Sequence, residues 1–195
     1  MQKLAGFFKL IRWPNLVFIA LTQLLFFYCV VEPVLFGNLH MAREYYVLFF
    51  VLCISSVFIA AAGYVINDYF DLNIDLVNKP AKMVVDRSIS RRWAIFFHMF
   101  FSFAGVLMGF YIGLQNGNWI IGFANMGCVF VLWFYSTTFK KKLLTGNILI
   151  SLLTAWVVFV VYLLTMHQQI DLLHPVQPGS PQKLLRLALL YSSFA

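Results

Sequence analysis

The sequence predicts an all-α transmembrane bundle, because it is too apolar for a soluble domain and its charges are separated by long apolar stretches. Of its 195 residues, 62% are hydrophobic and only 11% are charged. Charged residues make up about a quarter of an ordinary soluble domain. Several uncharged stretches approach the ~20 residues that a helix needs to cross a bilayer. We therefore expect a single transmembrane domain over residues 1–195.

Five stretches are long enough to be complete membrane spans, and a sixth begins near the end of the sequence. The sixth begins at Lys183 and is still apolar at Ala195, so we expect the sequence to be truncated at its C-terminus. The five complete spans are predicted over residues 15–31, 45–66, 93–114, 118–138 and 146–165.

Small residues indicate how these spans pack. The second span is rich in Ser, Ala and Gly, which predicts a position inside the bundle because small side chains let helices approach closely. Gly105, Gly109 and Gly113 recur every four residues in the third span. That spacing predicts a helix-packing stripe, to which we assign no chemistry.

Basic residues predict the orientation. Most of the 14 Lys and Arg residues fall in the N-terminal segment and in the loops after the second and fourth spans. The positive-inside rule places these segments in the cytoplasm. We expect an integral protein of a bacterial cytoplasmic (inner) membrane, with the N-terminus and the active site facing the cytoplasm and a basic rim against anionic membrane lipids. This topology accounts for the net charge of +7, so no nucleic-acid partner is expected.

An acidic cluster follows the second span. Asp68, Asp71 and Asp75 are three of only seven acidic residues, and a continuing helix would place all three on one side. Carboxylates at a membrane-embedded helix end are costly unless a cation neutralises them. Their hard oxygens suit Mg²⁺ held jointly with substrate phosphates. Basic residues that could neutralise further phosphate oxygens follow in the next loop: Lys79, Lys82 and Arg87. The cluster predicts a diphosphate site beside apolar helices that could hold a hydrocarbon tail.

Four alternatives explain the cluster less well. A loose network of charges at a water-exposed helix end does not require three aspartates on one side. A calcium-binding EF-hand is excluded, because Leu76 replaces the required Gly and Lys82 occupies the position of the final Glu. The CDP-alcohol phosphotransferases need an Asp-Gly and Ala-Arg pattern that the sequence lacks. A transporter or scaffold would place ionisable residues in mid-membrane, whereas here they cluster at the predicted cytoplasmic ends.

Residues 67–75, Asn-Asp-Tyr-Phe-Asp-Leu-Asn-Ile-Asp, resemble the first aspartate-rich motif, NDxxDxxxD, of the UbiA family of intramembrane prenyltransferases. Three further stretches resemble segments of that family: Ile-Arg-Trp-Pro-Asn at 11–15, Asn-Lys-Pro at 78–80, and Tyr-Ser-Thr-Thr-Phe-Lys at 135–140, the last with Gly146 and Asn147. The first segment and the Asn-Lys-Pro loop look most like the branch that prenylates glycerol-phosphate lipids.

The resemblance implies a nine-helix bundle with a central cavity, where two aspartate-rich motifs bind a prenyl diphosphate through Mg²⁺. It implies that Asp68, Asp71 and Asp75 bind the metal and act in catalysis, and that Tyr135 borders the reacting carbon. The residues implied to bind substrate are Asn67, Lys79, Lys82, Arg87, Lys140, Arg12 and Asn15, of which Lys79, Lys82, Arg87 and Lys140 would hold the diphosphate.

The implied reaction is loss of diphosphate to give an allylic cation, which then alkylates a lipophilic acceptor such as geranylgeranylglycerol phosphate. An aromatic acceptor, such as 4-hydroxybenzoate or dihydroxynaphthoate, stays open, as does haem. A non-catalytic membrane fragment or a transporter-like protein is the remaining alternative. The sequence leaves the oligomeric state open.

The sequence departs from the family pattern at three points. Ala81 stands where many relatives have an acidic residue, and Asp86 where a small residue is common. A second aspartate motif is missing, because the only acidic residue after Asp86 is the isolated Asp171. We expect the missing motif to lie beyond Ala195.

Overall fold

Helices follow one another along the described part of the chain. The computed structural model describes residues 2–36, 43–78, 83–86, 88–166 and 180–194. Within these ranges, the one β-type pairing is an isolated bridge between Val85 and Ile89, so the predicted all-α class is confirmed. The helices are α1 (Gln2–Leu10), α2 (Trp13–Phe26), a π-helical turn (Phe27–Val31), α3 (Glu32–Phe36), α4 (Arg43–Phe70), α5 (Leu72–Asn78), α6 (Arg91–Asn116), α7 (Ile120–Thr137), a 3₁₀ turn (Phe139–Lys141), α8 (Leu143–Met166) and α9 (Ser180–Phe194).

Among the described residues, five helical stretches are long and apolar enough to cross a membrane. Each of them matches one predicted span to within a few residues, which confirms an integral membrane protein with five complete spans. The sixth predicted span corresponds to α9, which has 15 residues. The five stretches are Trp13–Leu35, Arg43–Phe70, Arg91–Asn116, Ile120–Thr137 and Leu144–Thr165.

The first span is a composite helix because of Pro33. Proline has no backbone N–H, so Pro33 cannot make the α-helical hydrogen bond to the carbonyl of Cys29. The N–H of Glu32 instead donates to the carbonyl of Phe27, five residues earlier, and the π-helical turn forms between α2 and α3. The sequence therefore builds one span from three helical segments.

The second span, α4, lies at the centre of the bundle. It is the most buried of the five spans and packs against α2, α6 and α7. At Gly105 of α6, an added Cβ would lie 2.7 Å from Ile59 Cγ1, and Ser55 Oγ donates to the Gly105 carbonyl at 2.8 Å. At Gly109, an added Cβ would lie 2.6 Å from Asn125 Nδ2 of α7. The inner position of α4 and the packing role of the glycine stripe are both confirmed.

The C-terminal end of α8 is held by two side chains from neighbouring helices and by Asn118, which lies between α6 and α7. Asn116 Nδ2 donates to the Leu164 carbonyl at 2.8 Å, and the Tyr45 hydroxyl donates to the same carbonyl at 3.0 Å. Asn118 Nδ2 donates to the Leu163 carbonyl at 2.9 Å. Carbonyls in the last turn of a helix lack intrahelical partners, so these bonds satisfy acceptors that would be costly in apolar surroundings.

Helix α1 was not anticipated from the sequence. It packs against the start of α6, where the rings of Phe7 and Phe97 lie 5.0 Å apart between centroids. At Gly6 an added Cβ would lie 2.7 Å from Ser88 Cβ. The chain then turns from α1 into α2 at Arg12. This packing ties the N-terminal helix to the segment that precedes α6.

The acidic motif is divided between two helices, so the expectation of one continuing helix is wrong. Helix α4 ends just before Asp71, which lies in a turn, and α5 begins just after it. Aspartate suits a helix interior poorly because its side chain competes for backbone groups. The Asp71 N–H still donates to the Asn67 carbonyl at 3.1 Å. Asp68 therefore lies on α4, whereas Asp75 lies on α5.

Candidate functional site

Arg12 reaches the acidic motif from the corner between α1 and α2. Its backbone is left-handed, with φ 51° and ψ 53°, a conformation that costs roughly 1–2 kcal/mol for an L-residue with a side chain. Pro14 follows in the first turn of α2, where a missing N–H costs no hydrogen bond. Arg12 Nη2 donates to Asp68 Oδ1 at 2.8 Å, and the guanidinium lies 5.2 Å from the ring centroid of Tyr64. The corner thus places a cation at the first aspartate of the motif.

Lys140 reaches the second aspartate from the 3₁₀ turn after α7. Its ammonium forms an ion pair with Asp71 Oδ2 and donates to Asn67 Oδ1 at 3.0 Å. Asn67 Nδ2 completes the triangle by donating to Asp71 Oδ2 at 3.3 Å. The structure therefore brings Asn67 and Asp71 of the acidic motif together with the predicted lysine, which is far from them in sequence.

Close packing at the start of α8 places Tyr135 beside this group. An added Cβ at Gly146 would lie 3.0 Å from the Phe139 carbonyl oxygen and 3.6 Å from Tyr135 Cε2. The Gly146 N–H donates to the Lys142 carbonyl at 2.9 Å. A larger residue at this position would press on the turn that carries Lys140.

Arg12, Asn67 and Tyr135 of this group border a cavity between α2, α4, α7 and α8, whereas their partners Asp68, Asp71 and Lys140 do not line it. Its volume is about 270 Å³. Arg12, Asn67 and Tyr135 line the charged end, and Ser56 and Asn125 line the other. Asn67 and Ser56 lie about 16 Å apart along α4 at the usual rise of ~1.5 Å per residue. The lining between the two ends is mostly apolar and includes Ile19, Ile59, Leu132, Ile150 and Leu153.

Polar side chains that were not predicted from the sequence lie at the far end of the cavity. Gln23 of α2 is fully buried, and its Nε2 donates to Ser56 Oγ and to the Val157 carbonyl, both at 2.9 Å. On the opposite wall, Asn125 Nδ2 donates to Ser55 Oγ at 2.8 Å. Amide side chains in the middle of membrane spans are costly and usually face the bundle interior. That rule was the available signal for Gln23 and Asn125.

One predicted site residue is described away from the charged end. Asn15 is exposed in the first turn of α2 and does not line the cavity. Asp86, which departs from the family pattern, pairs with Arg91 Nη2 at 2.8 Å in an exposed position. The remaining predicted groups lie outside the described residues or side chains, and their roles stay predictions: Lys79, Lys82, Arg87 and the carboxylate of Asp75.

The oxygen donors at the charged end fit Mg²⁺ only together with oxygens from a ligand. Mg²⁺ demands octahedral oxygen coordination and usually takes one or two carboxylates plus substrate phosphates and waters. Among the side chains that the structure describes, no three Asp, Glu, His or Cys groups lie close enough to hold a metal by themselves. Asp68 and Asp71 supply two carboxylates, and Asn67 supplies an amide oxygen. This set matches a metal shared with phosphate groups.

Two curated relatives show what the chain is similar to. The digeranylgeranylglyceryl phosphate synthase of Hyperthermus butylicus is 36% identical over 154 residues, which cover 77% of this chain and 47% of that protein. The synthase of the same name from Methanothermobacter thermautotrophicus is 39% identical over 93 residues, which cover 48% of this chain and 31% of that protein. The chain thus spans less than half the length of these two relatives. Both are archaeal, and the expected bacterial membrane stays a prediction.

A solved structure shows the same fold. It is described as giving structural and mechanistic insights into digeranylgeranylglyceryl phosphate synthase in membranes, and it superposes with a TM-score of 0.72 at 21% identity. The match covers 99% of this chain and 59% of that one. Residues 24–194 match the UbiA prenyltransferase family. Because this match takes in most of the sequence, the chain belongs to the UbiA prenyltransferase family.

Proposed function

We propose that the protein transfers a prenyl group from a prenyl diphosphate to a lipophilic acceptor within the membrane. The observation that carries this proposal is the cavity, which is lined by apolar groups along α4 and meets charged side chains of both signs at one end. A hydrocarbon tail suits the apolar length, and a diphosphate suits the charged end. Family membership supports the same reaction.

The described residues have distinct roles in this proposal. Arg12 and Lys140 bind diphosphate oxygens through charge-assisted hydrogen bonds. Mg²⁺, when bound by Asp68 and Asp71 together with the diphosphate, supplies neutralisation of the charge that develops on the leaving group. Tyr135 borders the cavity where the allylic carbon lies, and its ring face stabilises positive charge there. The apolar lining keeps out water that would otherwise capture the cation.

Residues that the structure does not place in the cavity complete the proposed site. They are expected to contact the metal or the diphosphate when substrate is bound, as the resemblance implies: Asp75, Lys79, Lys82, Arg87 and Asn15.

We infer that the acceptor is a glycerol-phosphate lipid such as geranylgeranylglycerol phosphate. Two relatives that are 39% and 36% identical over the matched residues are named digeranylgeranylglyceryl phosphate synthases, which supports this choice over an aromatic acceptor. The acceptor's own lipid tail is compatible with entry from the membrane.

The test is a transfer assay in membranes that contain the protein. Labelled geranylgeranyl diphosphate is supplied with geranylgeranylglycerol phosphate, 4-hydroxybenzoate or dihydroxynaphthoate, with Mg²⁺ or with a chelator. We expect labelled lipid product with the first acceptor only, and only with Mg²⁺. Product from an aromatic acceptor would overturn the acceptor assignment alone. Absence of transfer to every acceptor, from protein shown to be folded, would overturn the proposed function.

A further inference from the structure

The two aspartates whose side chains are described at the site already have cationic partners. Asp68 pairs with Arg12 of the α1–α2 corner, and Asp71 pairs with Lys140 of the turn after α7. Both cations come from outside the acidic motif, and both are residues assigned to the diphosphate in the proposed function. The same side chains therefore have two possible anionic partners, the carboxylates and the substrate.

We propose that Arg12 and Lys140 are exchangeable counter-ions that make metal and diphosphate bind as one unit. Without substrate they neutralise Asp68 and Asp71 and keep free divalent metal from these carboxylates. When a metal–diphosphate complex arrives, the two cations transfer to the phosphate oxygens, and the carboxylates transfer to the metal. This inference rests on the proposed function and adds the order in which its components can bind.

Charge balance favours this exchange. Among the described side chains, the two carboxylates and the two cations pair one to one beside the charged end of the apolar cavity. A divalent metal arriving alone would add two positive charges next to cations that already neutralise these carboxylates, which is unfavourable. A metal that arrives with a diphosphate brings charges of opposite sign that largely cancel. Without substrate, the site therefore disfavours binding of the metal alone and favours binding of the metal–diphosphate complex.

A second contact of each cation keeps it near the site during the exchange. The Arg12 guanidinium lies over the ring of Tyr64, and both residues line the cavity. It can therefore leave Asp68 and remain at the mouth. The Lys140 ammonium also donates to Asn67 Oδ1, so a second contact holds it near the site after it leaves Asp71. Neither cation needs a backbone rearrangement to reach an anion bound beside it.

The two ion pairs differ in exposure, which sets the expected size of the effect. The side chains of Arg12 and Asp68 are 43% and 21% exposed, whereas those of Lys140 and Asp71 are 26% and 16% exposed. Solvent screens the first pair more strongly than the second. Removing the Lys140 charge should therefore release the metal site more than removing the Arg12 charge.

The experiment measures binding of Mn²⁺ to the full chain in nanodiscs of uncharged lipid, by electron paramagnetic resonance of the free ion. We expect Arg12→Gln to tighten binding of Mn²⁺ alone by about threefold and Lys140→Gln by about tenfold. We expect both variants to weaken binding of preformed Mn²⁺–diphosphate complex by about tenfold or more, because that complex loses a cationic partner. Opposite effects on the two probes are the signature of exchange.

Two further variants control this experiment. Arg91→Gln removes the same charge from an ion pair outside the cavity, where Arg91 and Asp86 are 50% and 47% exposed, and it should change neither affinity. Arg12→Lys keeps the positive charge, so it should leave the weak affinity for Mn²⁺ alone unchanged. Each cation faces a different carboxylate, so either Gln variant tests the proposal if the other does not fold.

The outcomes separate this inference from the proposed function. If both Gln variants leave the affinity for Mn²⁺ alone unchanged or lower it, the counter-ion proposal is wrong, even if the complex still binds. If the unmodified protein fails to bind the Mn²⁺–diphosphate complex at all, the proposed function itself is wrong.

Discussion

Arg12 combines backbone strain with an electrostatic role. Its left-handed φ of 51° is unfavourable for any residue with a Cβ, and such strain persists where the surrounding structure demands it. Here the demand is the sharp turn that lets α1 pack on α6 while the guanidinium meets Asp68. Arg12 therefore both turns the chain from α1 into α2 and pairs with Asp68.

At this scale, we expect Asp71→Asn to lower prenyl transfer by about 100-fold. The substitution keeps the size of the side chain but removes a charged oxygen ligand, so binding of the metal–diphosphate complex should weaken with it. The measurement is the initial rate of labelled product formation at several Mg²⁺ concentrations. Asp86→Asn is the matched control, because Asp86 pairs with Arg91 outside the cavity, and it should keep the rate. Full activity in Asp71→Asn would contradict the site assignment.

The sequence predicted which residues form the site better than it predicted which of them contact one another. The spacing of Asp68 and Asp71 pointed to the acidic group, and a motif resemblance added Arg12 and Lys140. The ion pair from Arg12 to Asp68 joins residues that are 56 positions apart, so only the packing of α2 against α4 could establish it. Gln23 was missed because its neighbours are apolar and no motif includes it, although its position in mid-membrane was a signal.

Helix packing in this bundle depends on contacts that leave no room for a side chain. Gly105 of α6 meets the side chain of Ile59 and the backbone of Ser55. Since a backbone atom cannot rotate away, a larger residue at Gly105 must push α6 from α4. Gly127 of α7 has no neighbour within 4 Å of an added Cβ, so a larger residue there would meet no packed helix.

We expect Gly105→Ala and Gly127→Ala to have opposite effects on stability. Gly105→Ala should destabilise the protein by about 1–3 kcal/mol through overpacking. Gly127→Ala should be neutral or stabilise it by up to about 1 kcal/mol, because alanine favours a helix over glycine. The measurement is thermal unfolding in detergent, followed by tryptophan fluorescence. Equal losses of stability in both variants would show that the α4–α6 contact is less tight than described.

The far end of the cavity should limit the length of the prenyl chain. Ser56→Leu fills space at that end, so we expect the ratio of activity with geranylgeranyl diphosphate to activity with geranyl diphosphate to fall by about tenfold, a difference typical of one or two methylenes in a closed pocket. Ser151→Leu is the control, since Ser151 is exposed on α8 and does not line the cavity. A fall of the same size in Ser151→Leu, or none in Ser56→Leu, would place the end of the chain elsewhere.

The spans could be predicted because hydropathy alone determines them, but their internal breaks could not. The π-helical turn depends on Pro33, whose missing N–H removes one hydrogen bond without ending the span. The break at Asp71 depends on partners for its side chain that only the assembled bundle provides. Helix α1 is too short to give a span signal, and it forms against α6.

For the molecule as a whole, the site is confined to one end of the bundle. The start of α2, the end of α4 and the end of α7 meet there through Arg12, Asp68 and Lys140. The opposite end holds the junction of α6, α7 and the end of α8. The described residues of the three predicted basic segments flank helix ends on this side of the bundle, so the positive-inside rule orients the site and the N-terminus together.

We expect the site end to face the cytoplasm. In a background without native cysteines, Lys142→Cys at the site end should react with a membrane-impermeant maleimide only after cells are opened. Gln115→Cys, exposed near the opposite end, should react in intact cells. The measurement is the fraction of protein labelled before and after permeabilisation. The reverse pattern would invert the predicted orientation, with the site then open to the exterior.

Hydrogen bonds anchor α8 at two levels: Asn116, Asn118 and Tyr45 hold its end near Leu164, and Gln23 holds the Val157 carbonyl. About 17 Å of helix at ~1.5 Å per residue separates Val157 from Gly146. Because Gly146 abuts the turn that carries Lys140, these distant amides set the direction from which α8 meets the charged end. The position of Lys140 is therefore inherited in part from polar contacts deep in the bundle.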